Sequence, residues 1–544
     1  MILLLSCAPE GELSSLNEVE TVAPVDDLDE GDETTQLSAV ELLTRASLDF
    51  RGIRPSVEEI EIVEADPEAV EELIDGFLFD YRFGERVRSL YSDVYLTRQD
   101  TWYVTAALAG LDSELQPEWA DAIGQEPLRI LSTIASEDLP YTDIVTADWT
   151  MTNDLLAEAW EIEATEGEGW RRGYYTDDRP AAGVLATNGL WWRYGTNAAN
   201  ANRGRANAIS KIFLCTDYLS KPITFERDVN LLDANAVNDA LQNNPGCVAC
   251  HYSLDPLAAY LWGFYYFDYR SAIDTATYHP EREYLWEDYS GVGPGYYGEV
   301  GFGLSDLGES LAADPRLAEC AVTQAFELLL QRDVLLEDQA ELNAHREVFL
   351  AEGLQLRPLY RSILDSEAYR AAPSDDARFV GAKLISVDQL ASSIEELTGY
   401  RFTYLGYDML STDTYGLRTL AGGVDGNFVT QPATEPMTTM VLVQERLAQG
   451  AAWHVTEEDM ATDEPRLFLY VGFTETPATD RDAMVEQIQH LHLRIFGDRI
   501  DAEGPEVAAN LALWEDLYAV DGSQQAAWAG VLSVLLRDPA FLVY

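Results

Sequence analysis

The chain has 544 residues, too many for one growing core, and its 47% hydrophobic content excludes global disorder. With 35 basic against 95 acidic residues it carries a net charge of −60, a surface that repels a phosphate backbone and excludes nucleic acid as a partner. Such a coat resists aggregation where salt screens it, which fits marine, saline or extracellular exposure.

At the start, residues 1–7 form a short apolar run ending in Leu4-Leu5-Ser6-Cys7. This resembles a truncated bacterial lipobox, in which Cys7 takes the lipid; the alternative is a chance cysteine in a ragged end. Residues 8–37 follow with ten acidic residues and no basic one, the composition of a flexible acidic spacer. No later segment reaches the roughly 18 apolar residues that a membrane span needs. Attachment to a membrane would therefore be by the lipid anchor.

Residues 38–110 read as a helical module. Ser56 and Glu59 have capping-box spacing, and Leu73, Ile74, Phe77 and Leu78 follow the 3.6-residue period. Residues 111–310 form a less regular middle module, with helical spacing at Ala206, Ile209, Ile212 and Phe213 and a glycine-rich run near its end. Residues 311–375 and 376–544 return to helix. Three short sequences close comparable helical units: Asp80-Tyr81-Arg82-Phe83, Asp365-Ser366-Glu367-Ala368-Tyr369 and Asp538-Pro539-Ala540-Phe541. The expected fold is mainly α-helical and multidomain, with repeated helical modules.

Chemistry concentrates in "NNPGCVACHYSLDP", where Cys247, Cys250 and His251 form a CxxCH run. In a c-type cytochrome two such thiols bond the haem vinyl groups and the histidine ligates iron. The spacing also admits a disulfide loop, a metal site short of a fourth ligand, or a thioredoxin-like thiol pair, although no βαβ pattern precedes it. Pro256 fits the first turn of a helix capped by Ser253 or Asp255. The rings Tyr260, Trp262, Phe264, Tyr265, Tyr266 and Phe267 then either wall a porphyrin or fill a core. His279 is the first choice of second iron ligand. Met409, Met437, Met440, His345, His454, His490 and His492 would reach the iron only by tertiary return. Of the five cysteines, Cys215 and Cys320 remain, either joined as a disulfide in an oxidising compartment or buried as free thiols.

Across these motifs the chain resembles the large extracytoplasmic planctomycete-type cytochrome-like proteins, built from planctomycete-cytochrome-type modules and others of unknown function. "RASLDFRGIRPSVEEI", "NRGRANAISKIFLC", "CVACHYSLDPLAAYLWGFYYFDYR" and "AECAVTQAFELLLQR" carry the resemblance. It points to Arg203, Gly204, Cys215, Cys247, Cys250, His251, Asp255, Pro256, Leu261 and Phe264. Ala258 departs from it by standing where that family has glycine. Together the motif and the resemblance lead to an extracytoplasmic lipoprotein with one covalent haem c, exchanging single electrons with a redox or cell-surface protein from the periplasm or outer membrane. The alternatives are a scaffolding protein in which CxxCH is only a disulfide loop, and a haem oxidoreductase.

Overall fold

Helix formation here begins with local signals that the side chains satisfy themselves. In the computed structural model, which describes residues 35–220, 229–230, 232–268, 270–271, 274, 277–374 and 381–544, three helices open with a reciprocal capping box. Ser38 caps Ala39–Arg51, Ser56 caps Val57–Ala65 and Ser386 caps Val387–Thr398; each serine accepts an N–H from the residue three later, whose side chain accepts the serine N–H in return. The short closing sequences are also capped. Asp80 accepts from the Arg82 N–H, Ser366 from that of Tyr369 and Asp538 from that of Ala540.

The protein is mainly α-helical. The described strands are short, the largest sheet being Thr150–Thr152, Arg171–Tyr175 and Ile162–Ala164, antiparallel with Arg171–Tyr175 in the centre. Gln36–Tyr544 holds together as one unit. Cys7, and all but residues 35–37 of the acidic spacer, lie outside the described residues. Among the described residues no helix is long and apolar enough to cross a membrane.

Two apolar cores organise this unit. One is built from the helices between residues 39 and 95, the middle region and the helices Pro315–Leu330 and Leu356–Leu364. The other collects residues 384–542, around the packed pair Thr438–Met460 and Gln524–Leu536, and takes in Leu48 from the first helix. Each fully buried large side chain contributes about 1.5–3 kcal/mol by leaving water.

A polar clasp joins the first helix to the second core. Asp49 accepts from Lys383 Nζ at 2.7 and 2.6 Å, from the Tyr369 hydroxyl at 2.7 Å and from the Tyr544 hydroxyl at 2.8 Å. Burial pushes the Lys383 ammonium down to about 8, and the Asp49 carboxylate opposes that shift.

From Tyr260 to Tyr265 the aromatic run is buried, whereas Tyr266 is half-buried and Phe267 exposed. Trp262 stacks on Tyr289 and packs on Tyr265, while Phe264 meets Tyr278 edge-on and tilts against Trp191. The run is not one helix: a short 3-10 turn, Trp262–Phe264, replaces it. Gly263 is required there, because a Cβ would stand 2.3 Å from the Tyr278 ring.

Candidate functional site: two thiols at the start of a helix

Asn244 and Pro245 decide where the site begins. Asn244 caps the helix Pro245–Ala259 by accepting from the Gly246 N–H at 2.9 Å and the Cys247 N–H at 3.4 Å. Proline in the first turn gives up a donor that has no partner there anyway. The expectation of a helix starting near Pro256 is therefore corrected: Pro256 lies inside a helix already eleven residues old. The Tyr252 carbonyl that loses its intrahelical donor belongs to a residue 65% exposed.

Helical geometry sorts the remaining side chains into two stripes. Cys247, His251 and Asp255 recur every four residues on one; Cys250, Leu254 and Ala258 recur on the other, which packs on the first core. Cys247 and Cys250 are both free thiols and both half-buried. Cys247 is the third residue of the helix, in the first turn, where the helix dipole favours a negative charge.

His251 is fixed by a carboxylate that is itself fixed. Its Nδ1 lies 2.8 Å from Asp255 Oδ1, and Arg203 grips both oxygens of the same carboxylate, Nε to Oδ1 at 2.6 Å and Nη2 to Oδ2 at 3.0 Å. Burial alone would raise the Asp255 carboxyl, but hydrogen bonds from His251 and Arg203 hold it below the usual carboxylate value. One stripe therefore carries a thiol, an imidazole and an orienting carboxylate.

The helix Arg203–Leu214 supplies that arginine at its N-terminal end and packs along the thiol-bearing helix. At its other end Cys215 stands in the left-handed conformation of the helix cap, φ 47°, and forms a disulfide with Cys320 of Pro315–Leu330. The S–S distance is 2.02 Å and the Cα atoms are 5.3 Å apart.

This geometry corrects the haem expectation. Among the described residues no three or more His, Cys, Asp and Glu side chains converge as a metal site. The rings that would have walled a porphyrin pack on one another. His279, expected as a second iron ligand, is instead held at Nε2, 3.2 Å from the Asp274 carbonyl, with Glu281 beside Nδ1 at 3.3 Å. A covalent haem c on Cys247, Cys250 and His251, iron binding, electron transport and haem oxidoreductase chemistry therefore do not hold. Nor does the disulfide-loop alternative, since the two thiols are unjoined.

The remaining histidines have structural surroundings. His345 bonds Ser362 and is pushed down to about 4 by burial. His492 lies 3.2 Å from the Asn510 amide, whereas His490, two residues earlier, faces the ring of Tyr470. Sequence reading missed the cap at Asn244 and the hydroxyl pair Tyr218–Ser253, 2.7 Å apart, that fastens the next turn. An Asn-Pro dipeptide ahead of the cysteines was the available signal for the cap. Comparison adds no relative: no family model, no curated protein and no solved structure matches the chain.

Proposed function

We propose that the protein exchanges thiols and disulfides with a partner protein outside the cytoplasm, using Cys247 and Cys250 as the working pair. One observation carries this reading: two free, half-buried thiols three residues apart in the first two turns of one helix, with a carboxylate-held histidine on the Cys247 stripe.

The chemistry balances as an exchange between the dithiol and a partner's disulfide. The Cys247 thiolate attacks one partner sulfur; a new S–S bond forms, the partner's S–S bond breaks, and its other sulfur leaves with the electron pair. Cys250 then attacks Cys247 Sγ, closing the internal disulfide and freeing the first partner sulfur. Two electrons pass to the partner, and the two thiol protons end on its sulfurs. His251, on the Cys247 stripe and oriented by Asp255, is the group to carry a proton between them.

Geometry also sets the direction of poise. Residues three apart on a helix hold their Cβ atoms about 5–6 Å apart, whereas a relaxed disulfide wants about 3.5–4.5 Å. Closing the pair strains the helix start and raises its potential, so the dithiol yields electrons to partner disulfides that are themselves strained, and its oxidised form is readily reduced again.

The Cys215–Cys320 disulfide supports an oxidising compartment, and a lipid on Cys7 would keep the protein at a membrane surface. The planctomycete-type resemblance and the duplicated helical modules belong to the same reading; the capped closing sequences at Asp80, Ser366 and Asp538 support the duplication.

The test is incubation of the full chain with oxidised glutathione, followed by peptide mass analysis. Wild type is expected to form the Cys247–Cys250 disulfide, and Cys250→Ser to accumulate a mixed disulfide on Cys247. Folded protein whose two thiols stay unmodified in both would overturn the reading.

A further inference from the structure

The helix Arg82–Tyr95 turns Arg86 and Ser89 into a space between it and the start of Val387–Thr398. Two cavities, of about 560 and 590 Å³, meet there and share Arg86, Ser89 and Asp388 as a common wall. Each has the size of a small-molecule site.

Charge distinguishes the smaller cavity from the rest of the molecule. Seven arginines and five carboxylates line it, in a chain whose net charge is −60. Most of these arginines have a carboxylate within ion-pair distance, Arg98 sharing Asp388 with Arg418. Among the described residues Arg86 and the exposed Arg466 do not. Arg86 is 5% exposed, and among the described residues its hydrogen bonds go to the Asp49 carbonyl, from Nε at 3.2 Å, and to Ser89 Oγ, from Nη1 at 3.3 Å. Ser89 Oγ in turn donates to Asp388 Oδ2 at 2.7 Å, so its proton is committed. The second Nη of Arg86 makes no hydrogen bond among the described residues, and Nε of neighbouring Arg98 is buried without a partner.

A buried guanidinium without a counter-charge is costly, because the ion has given up water without gaining a partner of opposite sign. Asp49 does not supply one, since both its oxygens are taken by Lys383. The larger cavity adds an apolar lining, including Leu90, Ile385 and Met440, on the other side of the shared wall.

We propose that this double cavity binds a small organic phosphate or sulfate ester, its oxyanion on Arg86 and its organic body against the apolar lining. A guanidinium fork with open N–H groups matches a tetrahedral oxyanion, and the arginines at the rim, Arg466 among them, add positive charge where the ligand enters. The site uses no residue of the thiol helix, so it stands or falls independently of the exchange chemistry.

Titration calorimetry on the full chain, with phenyl phosphate, phenyl sulfate, inorganic phosphate and phenol as probes, tests it. One saturable site is expected for an ester, weaker binding for inorganic phosphate and none for phenol; preference between the two esters identifies which oxyanion the site takes. Arg86→Met should weaken ester binding at least tenfold. If that buried change disturbs folding, Arg86→Lys keeps the charge without the fork, and the exposed Arg466→Ala, expected to weaken binding about threefold, leaves the core untouched. Folded wild type that binds neither ester, or that binds them as tightly after Arg86→Lys and Arg466→Ala as before, would overturn the proposal.

Discussion

The two cysteine pairs of this protein have opposite states. Cys215 and Cys320 are 105 residues apart in sequence, joined, and Cys320 is almost wholly buried. Cys247 and Cys250 share one turn, remain free and are half-buried. A crosslink removes more freedom from the unfolded chain the longer the loop it closes. The distant pair therefore repays being joined with stability. The close pair closes almost no loop, so joining it would stabilise little and strain a helix, which leaves its sulfurs available for reaction.

That contrast makes graded predictions. Replacing Cys215 and Cys320 together by alanine should lower the unfolding free energy by about 4–5 kcal/mol, the value for a loop of about 100 residues; denaturant titration measures it. A loss below about 1 kcal/mol would mean that the two pairs do not differ as described.

Asp255→Asn should cost about 2 kcal/mol, below the 3–5 kcal/mol of a wholly buried pair because Arg203 is partly exposed. It also carries a pH signature. The carboxyl is depressed in the fold, so it contributes stability above its unfolded value near pH 4 and loses it as pH falls through its lower folded value. Asp255→Asn should remove that part of the acid limb, read as a smaller decline in stability between pH 5 and pH 3 than in wild type.

Asn244→Ala should cost about 1 kcal/mol by leaving the Gly246 and Cys247 N–H groups uncapped, with faster amide hydrogen exchange confined to the first turn. Smallest of all, Cys247→Ser should change stability by no more than about 0.5 kcal/mol while, combined with Cys250→Ser, abolishing the mixed disulfide with glutathione. A large stability loss there would recast the close pair as structural.

Local signals carried much of the fold. The Ser56–Glu59 spacing corresponds to a real capping box, because that motif is complete within four residues. The strands around residues 150–175 escaped notice, since segments of three to five residues offer too little alternation for a period of two to register. The CxxCH spacing was the misleading signal. It describes the same i, i+3, i+4 geometry whether the thiols face a porphyrin or another protein's sulfur, and only the self-packed rings and the want of converging metal ligands among the described residues tell these apart. Arg86 was wholly illegible: what marks it is a place on the wall of two cavities without a carboxylate beside it, and a missing tertiary partner leaves no mark on neighbouring residues.

The clasp on Asp49 has a consequence for how the chain comes together. Its lysine lies 334 residues further along, so the first helix cannot reach its final bonding until most of the polypeptide exists. Contacts of such separation slow folding, because a long loop must close before they can form. During synthesis the buried face of Ala39–Arg51 therefore waits exposed, and a dense anionic surface that keeps half-finished chains apart has its greatest value in that interval.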